Sequence, residues 1–174
     1  MKRFFLLCAV LAFPFICQAV DPLDGAFGLR FGDVFTPNEN TPRGTVRTDE
    51  YARTQAFRFQ PAAPNRLFQE YWVFITPTSH RIYRIVAVGK ANNIQLAESQ
   101  QEAVLTVARE KYYGDFSIHD RWVIQGTRSV SVRPPTTLAD GSALWQVAYT
   151  DLGLSGRIMT ANNGNYEEVD DTGL

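Results

Sequence analysis

The sequence predicts an α+β fold: an antiparallel sheet of about six strands, ordered βββ-α-βββ, with one main helix packed on one face. Three observations lead there. Two runs rich in aromatic and β-branched residues, within Phe68 to Gly89, flank Thr76-Pro77-Thr78-Ser79-His80, which is the pattern of strand, turn and strand. A single segment, Ile94 to Tyr113, repeats apolar residues at helical spacing. Short runs of strand character then return between Arg121 and Thr150.

The chain opens on a leader. Lys2 and Arg3 precede an apolar run from Phe4 to Ile16, and Cys17-Gln18-Ala19 places small side chains where a signal peptidase reads them. Residues 1–19 therefore read as a secretory signal peptide cut after Ala19, and the expected location is the periplasm or the exterior. The apolar run, about 13 residues, is shorter than the roughly 20 a spanning helix needs. Pro14, Phe15 and Ile16 do not supply the residues that precede a lipidated Cys. Cys8 and Cys17 both fall in the leader, so the mature chain has no disulfide framework, thiolate nucleophile or Cys metal site. Its stability has to come from a core, and about 155 residues suit one domain, residues 20–160. Cleavage takes Lys2 and Arg3 from 17 basic residues set against 18 acidic ones, leaving a formal charge of −3. Glu167, Glu168, Asp170 and Asp171 hold most of that excess, so the body is near neutral and neither nucleic acid nor anionic lipid is an expected partner.

Asp24 to Phe35 interleaves Gly25, Gly28 and Gly32 with Phe27, Leu29 and Phe31. A phosphate loop would need a helix to follow, but Pro37 and Pro42 follow instead, so the segment reads as an opening strand with glycine bulges. Thr36 to Glu50 is a polar, Pro- and Gly-containing loop. Tyr51 to Gln60 returns to strand, with Phe57 and Phe59 on one face and Arg58 and Gln60 on the other, before Pro61 and Pro64 break it. In the hairpin that follows, Phe68, Trp72 and Phe74 share one face and Tyr71, Val73 and Ile75 the other. Both faces are apolar, so both are expected to be covered, with the hairpin in the middle of the sheet. On the helix, Ile94, Ala97, Gln101, Val104, Leu105, Ala108 and Tyr112 form the packing stripe. Its start is open between Asn92 and Ser99 as caps, and Gly114 ends it. Arg121 to Gln125, Arg128 to Val132 and Ala143 to Thr150 make the last strands, with Pro134-Pro135 and Asp140-Gly141 marking the turn between the last two. Trp145, Val147 and Tyr149 line one face. Ser155 to Thr160 carries little signal, and residues 161–174 form an acidic tail expected to be disordered.

The segments GAFGLRFGDVF, FRFQPAAPN, EYWVFITPTSHRIYRIVAVG and EKYYG together resemble a family of small uncharacterised periplasmic proteins of Gram-negative bacteria. The likeness runs from about Asp24 to Tyr149, and the ITPTSH hairpin is its most specific part. The doubled Tyr112-Tyr113 before Gly114 departs from a more familiar single Tyr. The resemblance implies export and a shared α+β fold; it implies no activity, and no catalytic residue is carried over from it.

Candidate chemistry is sparse. His80 stands beside Ser79 at the hairpin tip, but neighbouring turn residues rarely face each other and no orienting carboxylate is identifiable. His119-Asp120 supplies at most half of a metal site, with no spacing for a third ligand. Asp171-Thr172-Gly173 spells an aspartic-protease triplet, but in an acidic tail it lacks the buried sheet setting that chemistry needs. Thr172-Gly173-Leu174 fits the loose rule for C-terminal capture by a PDZ domain. The aromatic content is the stronger lead, because an uncovered aromatic face suits a protein, peptide or glycan partner. The sequence thus points to a non-enzymatic binding or protein-interaction module, with Thr78, Ser79 and His80 at the tip and Tyr71 and Trp72 on the strand as its binding residues. No catalytic residue, metal or cofactor is assigned. The alternative is a small hydrolase or metal-dependent enzyme using His80 or His119.

Overall fold

The computed structural model describes residues 22–37, 46–48, 54–112 and 121–163. The leader, His119 and the residues after Asn163 lie outside them, as do the C-terminal triplet and the PDZ-type terminus. The fold is α+β. A small hairpin of β1 (Gly25–Ala26) and β2 (Leu29–Arg30) stands apart from the main sheet. The main sheet contains β3 (Val46–Thr48), β4 (Gln55–Phe59), β5 (Glu70–Ile75) and β6 (Ile82–Ala91). Helix α1 (Ile94–Tyr112) follows, then β7 (Trp122–Gln125), β8 (Arg128–Thr137), β9 (Ala143–Asp151) and helix α2 (Leu152–Asn163). The strands lie in the order β3-β4-β5-β6-β9-β8-β7 and every pairing is antiparallel. The central hairpin is central in fact, since β6 is the middle strand.

Alternation along β5 divides the core as the sequence predicts. Tyr71, Val73 and Ile75 join Ile85, Ala87, Val130, Trp145 and Val147 in the large cluster beneath α1. Trp72 packs with Ala56, Val86 and Ala148 on the opposite face. Phe68 is the exception: it precedes β5 rather than belonging to it, and its ring lies with Tyr71 and Trp145 in the large cluster. Opposite the end of β5, a register shift leaves Tyr83 as an extra residue between Ile82 and Arg84. Its ring turns to the second face, where Leu154 and Ile158 of α2 pack on it, and its hydroxyl bonds the Thr54 hydroxyl at 2.6 Å.

Four expectations are corrected. The opening segment is not one strand: Phe27 and Gly28, both at positive φ (53° and 87°), make a two-residue turn that folds it into the β1–β2 hairpin. Pro134 and Pro135 do not end their strand. The β7 pairing reaches Ser131, and among the described strands only β9 pairs with β8 beyond it, where a register shift between Arg133 and Thr136 absorbs the missing N–H groups. The turn comes later, at Leu138 to Ser142. Helix α1 is capped by Asn93, whose Oδ1 accepts from the Leu96 N–H at 2.8 Å, and not by Asn92 or Ser99. Lastly, the stretch before and into the expected tail is α2, capped by Asp151 Oδ1 accepting from the Leu154 N–H at 3.0 Å.

Candidate functional site

The hairpin tip is fastened from within and from outside. The Thr76 N–H donates to the Arg81 carbonyl (2.8 Å), the Arg81 N–H to Thr76 Oγ1 (2.9 Å), and the Thr76 and Ser79 hydroxyls bond each other at 2.8 Å. The segment after β2 runs alongside. Gly32 and Phe35 donate to the carbonyls of Ile82 and His80, each at 2.9 Å, and Arg81 Nη1 donates to the Gly32 carbonyl at 2.8 Å. His80 sits at φ 54°, in the left-handed region that few residues other than glycine, asparagine, aspartate and histidine adopt, and the surrounding bonds hold it there. Thr78 and His80 are exposed and Ser79 is half-buried.

Tyr71 and Trp72 do not join them. Four to five residues of extended chain separate them from the tip, about 15 Å. Both are also buried, 3% and 4% exposed, on opposite faces of the sheet. The Tyr71 hydroxyl accepts from the Asn65 N–H (2.8 Å) and donates to the Asn65 carbonyl (3.1 Å), while Trp72 Nε1 donates to Glu70 at 3.1 Å. Among the described residues no carboxylate is bonded to His80, and no group of three or more His, Cys, Asp or Glu gathers as metal ligands. No described helix is long and apolar enough to cross a membrane.

Concave surface lies elsewhere. On the second face, a broad groove of about 720 Å³ runs over the ends of β5, β6, β8 and β9, floored by Glu70, Val88, Lys90, Arg133, Leu144 and Gln146. Its charges are largely matched, Arg58 to Glu70 at 4.0 Å and Lys90 to Asp140 at 3.1 Å. A narrower cleft of about 310 Å³ lies between α1, the connector before β5 and the turn of the β1–β2 hairpin. Phe27, Leu67 and Phe68 form one wall and Val104, Val107 and Ala108 the other, with Tyr112 and Tyr149 also lining it. Asn65 and Lys111 add polar groups.

Local sequence explains the cleft. The Phe27-Gly28 turn swings the Phe27 ring into the large cluster, where it meets Phe68, Tyr71 and Tyr149 edge-on at 5.7, 5.0 and 5.6 Å. Val107 lies beside the face of α1 that packs on the sheet and is left 60% exposed at the rim. Burial pushes the Tyr149 phenol well above its ordinary pKa, and the neighbouring Tyr112 phenol adds to the shift, so Tyr149 stays protonated and can donate. Sequence reasoning placed Tyr112 and Tyr149 on packing faces without seeing that they meet. The visible signal was Val107, an apolar residue off the predicted stripe.

No family model, no curated protein and no solved structure matches this chain.

Proposed function

We propose that this protein is a non-enzymatic binding module of the bacterial periplasm, exported by its N-terminal leader, and that the cleft along α1 takes a small molecule with an apolar body. The observation that carries this reading is the cleft itself: aromatic and aliphatic walls around a few convergent polar groups, the composition of ligand pockets generally. The larger groove fits less well, because its floor is charged and Glu70 and Lys90 there are already paired with Arg58 and Asp140. His80 supports the rival hydrolase poorly, since it lines neither cleft.

The test is native mass spectrometry of the mature protein recovered from periplasm, beside an Ala103→Trp variant that fills the cleft from an exposed lining position. A small-molecule adduct on the wild type, absent from the variant, is expected. An adduct that survives the substitution, or a wild type that carries none and shows no perturbation at cleft residues with any amphiphile, sinks the reading.

A second reading has one observation in its favour. The tip presents Thr78 and His80 on a turn held at unusual backbone geometry, which suits contact with an envelope protein, peptide or glycan. A pull-down from periplasmic extract with wild type and His80→Ala baits decides it; a partner retained equally by both removes the tip from consideration.

A further inference from the structure

Resting on the reading that the cleft binds a small apolar molecule, we propose that its ligand is a neutral carbonyl compound, with the hydrocarbon or aromatic body between the apolar walls and the carbonyl oxygen accepting from the Tyr112 and Tyr149 phenols. Four tyrosines lie among the described residues, and they fall into two pairs. Tyr71 bonds Asn65 through its hydroxyl and Tyr83 bonds Thr54. Among the described residues the hydroxyls of Tyr112 and Tyr149 have no hydrogen-bond partner, and these are the two tyrosines that line the cleft. Tyr112 is buried and Tyr149 half-buried, so neither ring stands in open water. A phenol withdrawn from water normally finds a partner, and a ligand entering the cleft can bring one.

The chemistry of the two phenols selects the partner. A carbonyl oxygen carries two lone pairs and no hydrogen, so it can accept from both hydroxyls, whereas a hydrocarbon can accept from neither. A phenol also donates better than it accepts, because its oxygen lone pair is shared with the ring, and an alcohol that had to donate to one of them would be held less well. Charge decides against an acid. Burial, with the nearby Tyr112 phenol adding to it, disfavours negative charge on the Tyr149 oxygen, and the same loss of hydration would fall on a carboxylate brought beside it. The walls of Phe27 and Phe68 supply no counter-charge. Lys111, the one cation among the lining residues, is exposed and already engaged, its ammonium 5.3 Å from the Tyr112 ring centroid. The interior therefore suits a polar atom that accepts without being charged.

The experiment compares acetophenone with ethylbenzene, which share a ring and a shape and differ in the carbonyl oxygen. Both are titrated against wild type, Tyr112→Phe, Tyr149→Phe and the filled variant Ala103→Trp, with binding followed by NMR shifts of the lining residues. Each Phe variant removes one hydroxyl and keeps the ring, so each is expected to bind acetophenone about fivefold more weakly and ethylbenzene as tightly as wild type does. The carbonyl carbon of labelled acetophenone should move downfield on binding to wild type and less on binding to either Phe variant. Benzoate at neutral pH should bind wild type more weakly than acetophenone, and Ala103→Trp should weaken every probe. Acetophenone held equally by wild type and both Phe variants, or benzoate held as tightly as acetophenone, overturns the proposal while the cleft remains a binding site. Failure of all the probes to perturb any lining residue overturns the cleft reading and this proposal together.

Discussion

Phe27 holds a backbone conformation that costs free energy in exchange for the position of its ring. At φ 53° it accepts strain that a glycine would not, and its ring joins three others at the wall of the cleft. Phe27→Ala keeps the strain and loses the ring contacts, so it should destabilise by about 2–3 kcal/mol in urea unfolding, below the cost of a fully buried Phe because this one is half-buried. Gly89 poses the opposite constraint. The Trp145 indole lies over it where a Cβ would stand, held by Nε1 donating to Gln100 at 2.9 Å and by the Phe68 ring at 5.2 Å. Gly89→Ala should cost about 1–3 kcal/mol and shift the tryptophan fluorescence as the indole is displaced. A variant as stable as wild type would mean that the ring moves aside freely. Neither constraint is legible from residue type, because a glycine among strand residues and a phenylalanine among glycines say nothing of what stands opposite them across the fold.

Elements with a strong period were legible, and those without one were not. β4, β5 and α1 carry alternation or helical spacing over enough residues to fix their faces, and even the polar Gln101 was placed correctly: it is buried, donating from Nε2 to the Arg133 carbonyl. Helix α2 was missed because Gly153 and Gly156 depress its helical propensity, leaving the Asp151 cap and the Leu154–Ile158 pair as the only clues. That cap also accepts from Arg128 at 3.4 Å, so Asp151→Ala should cost about 1–2 kcal/mol and lower the helical circular dichroism signal. The β8–β9 turn makes a prediction about pH. Asp140 accepts from the Ser142 hydroxyl and N–H and pairs with Lys90, which together lower its carboxyl from 3.8 to about 2. A depressed carboxyl stabilises above its unfolded pKa and loses that contribution as pH falls through the folded one. Asp140→Asn should thus lower the urea midpoint relative to wild type at neutral pH, and the gap should close between about pH 4 and pH 2. A gap that persists at pH 2 would assign the effect to something other than ionisation.

At the scale of the molecule, the segment from Leu23 to Phe35 ties one edge of the sheet, β7 and β8, to the central hairpin. The Leu23 N–H is held by Gln125 Oε1 and its carbonyl by Arg128 Nη1 at 3.2 Å, the Arg128 guanidinium lies 5.6 Å from the Phe31 ring, and the segment finishes at the hairpin tip. Gln125 also reaches the end of α1 through the Tyr112 carbonyl. Removing it should unfasten both, so Gln125→Ala is expected to cost about 2 kcal/mol and to speed amide exchange at Leu23 and Phe31 ahead of β6. Uniform acceleration across the sheet would show that the tie is no separate unit. The overall class of the fold could be read from the chain, whereas this tie could not, since its partners stand 102 and 105 residues apart in sequence and have no local pattern in common. That separation also sets a timetable. A chain that emerges amino end first, from a ribosome or through a membrane channel, presents Leu23 long before Gln125 and Arg128 exist beside it. Leu23 must then wait for both partners until residue 128 is out, although the β1–β2 hairpin beside it pairs within itself at once, and only at that late moment can the newborn protein close.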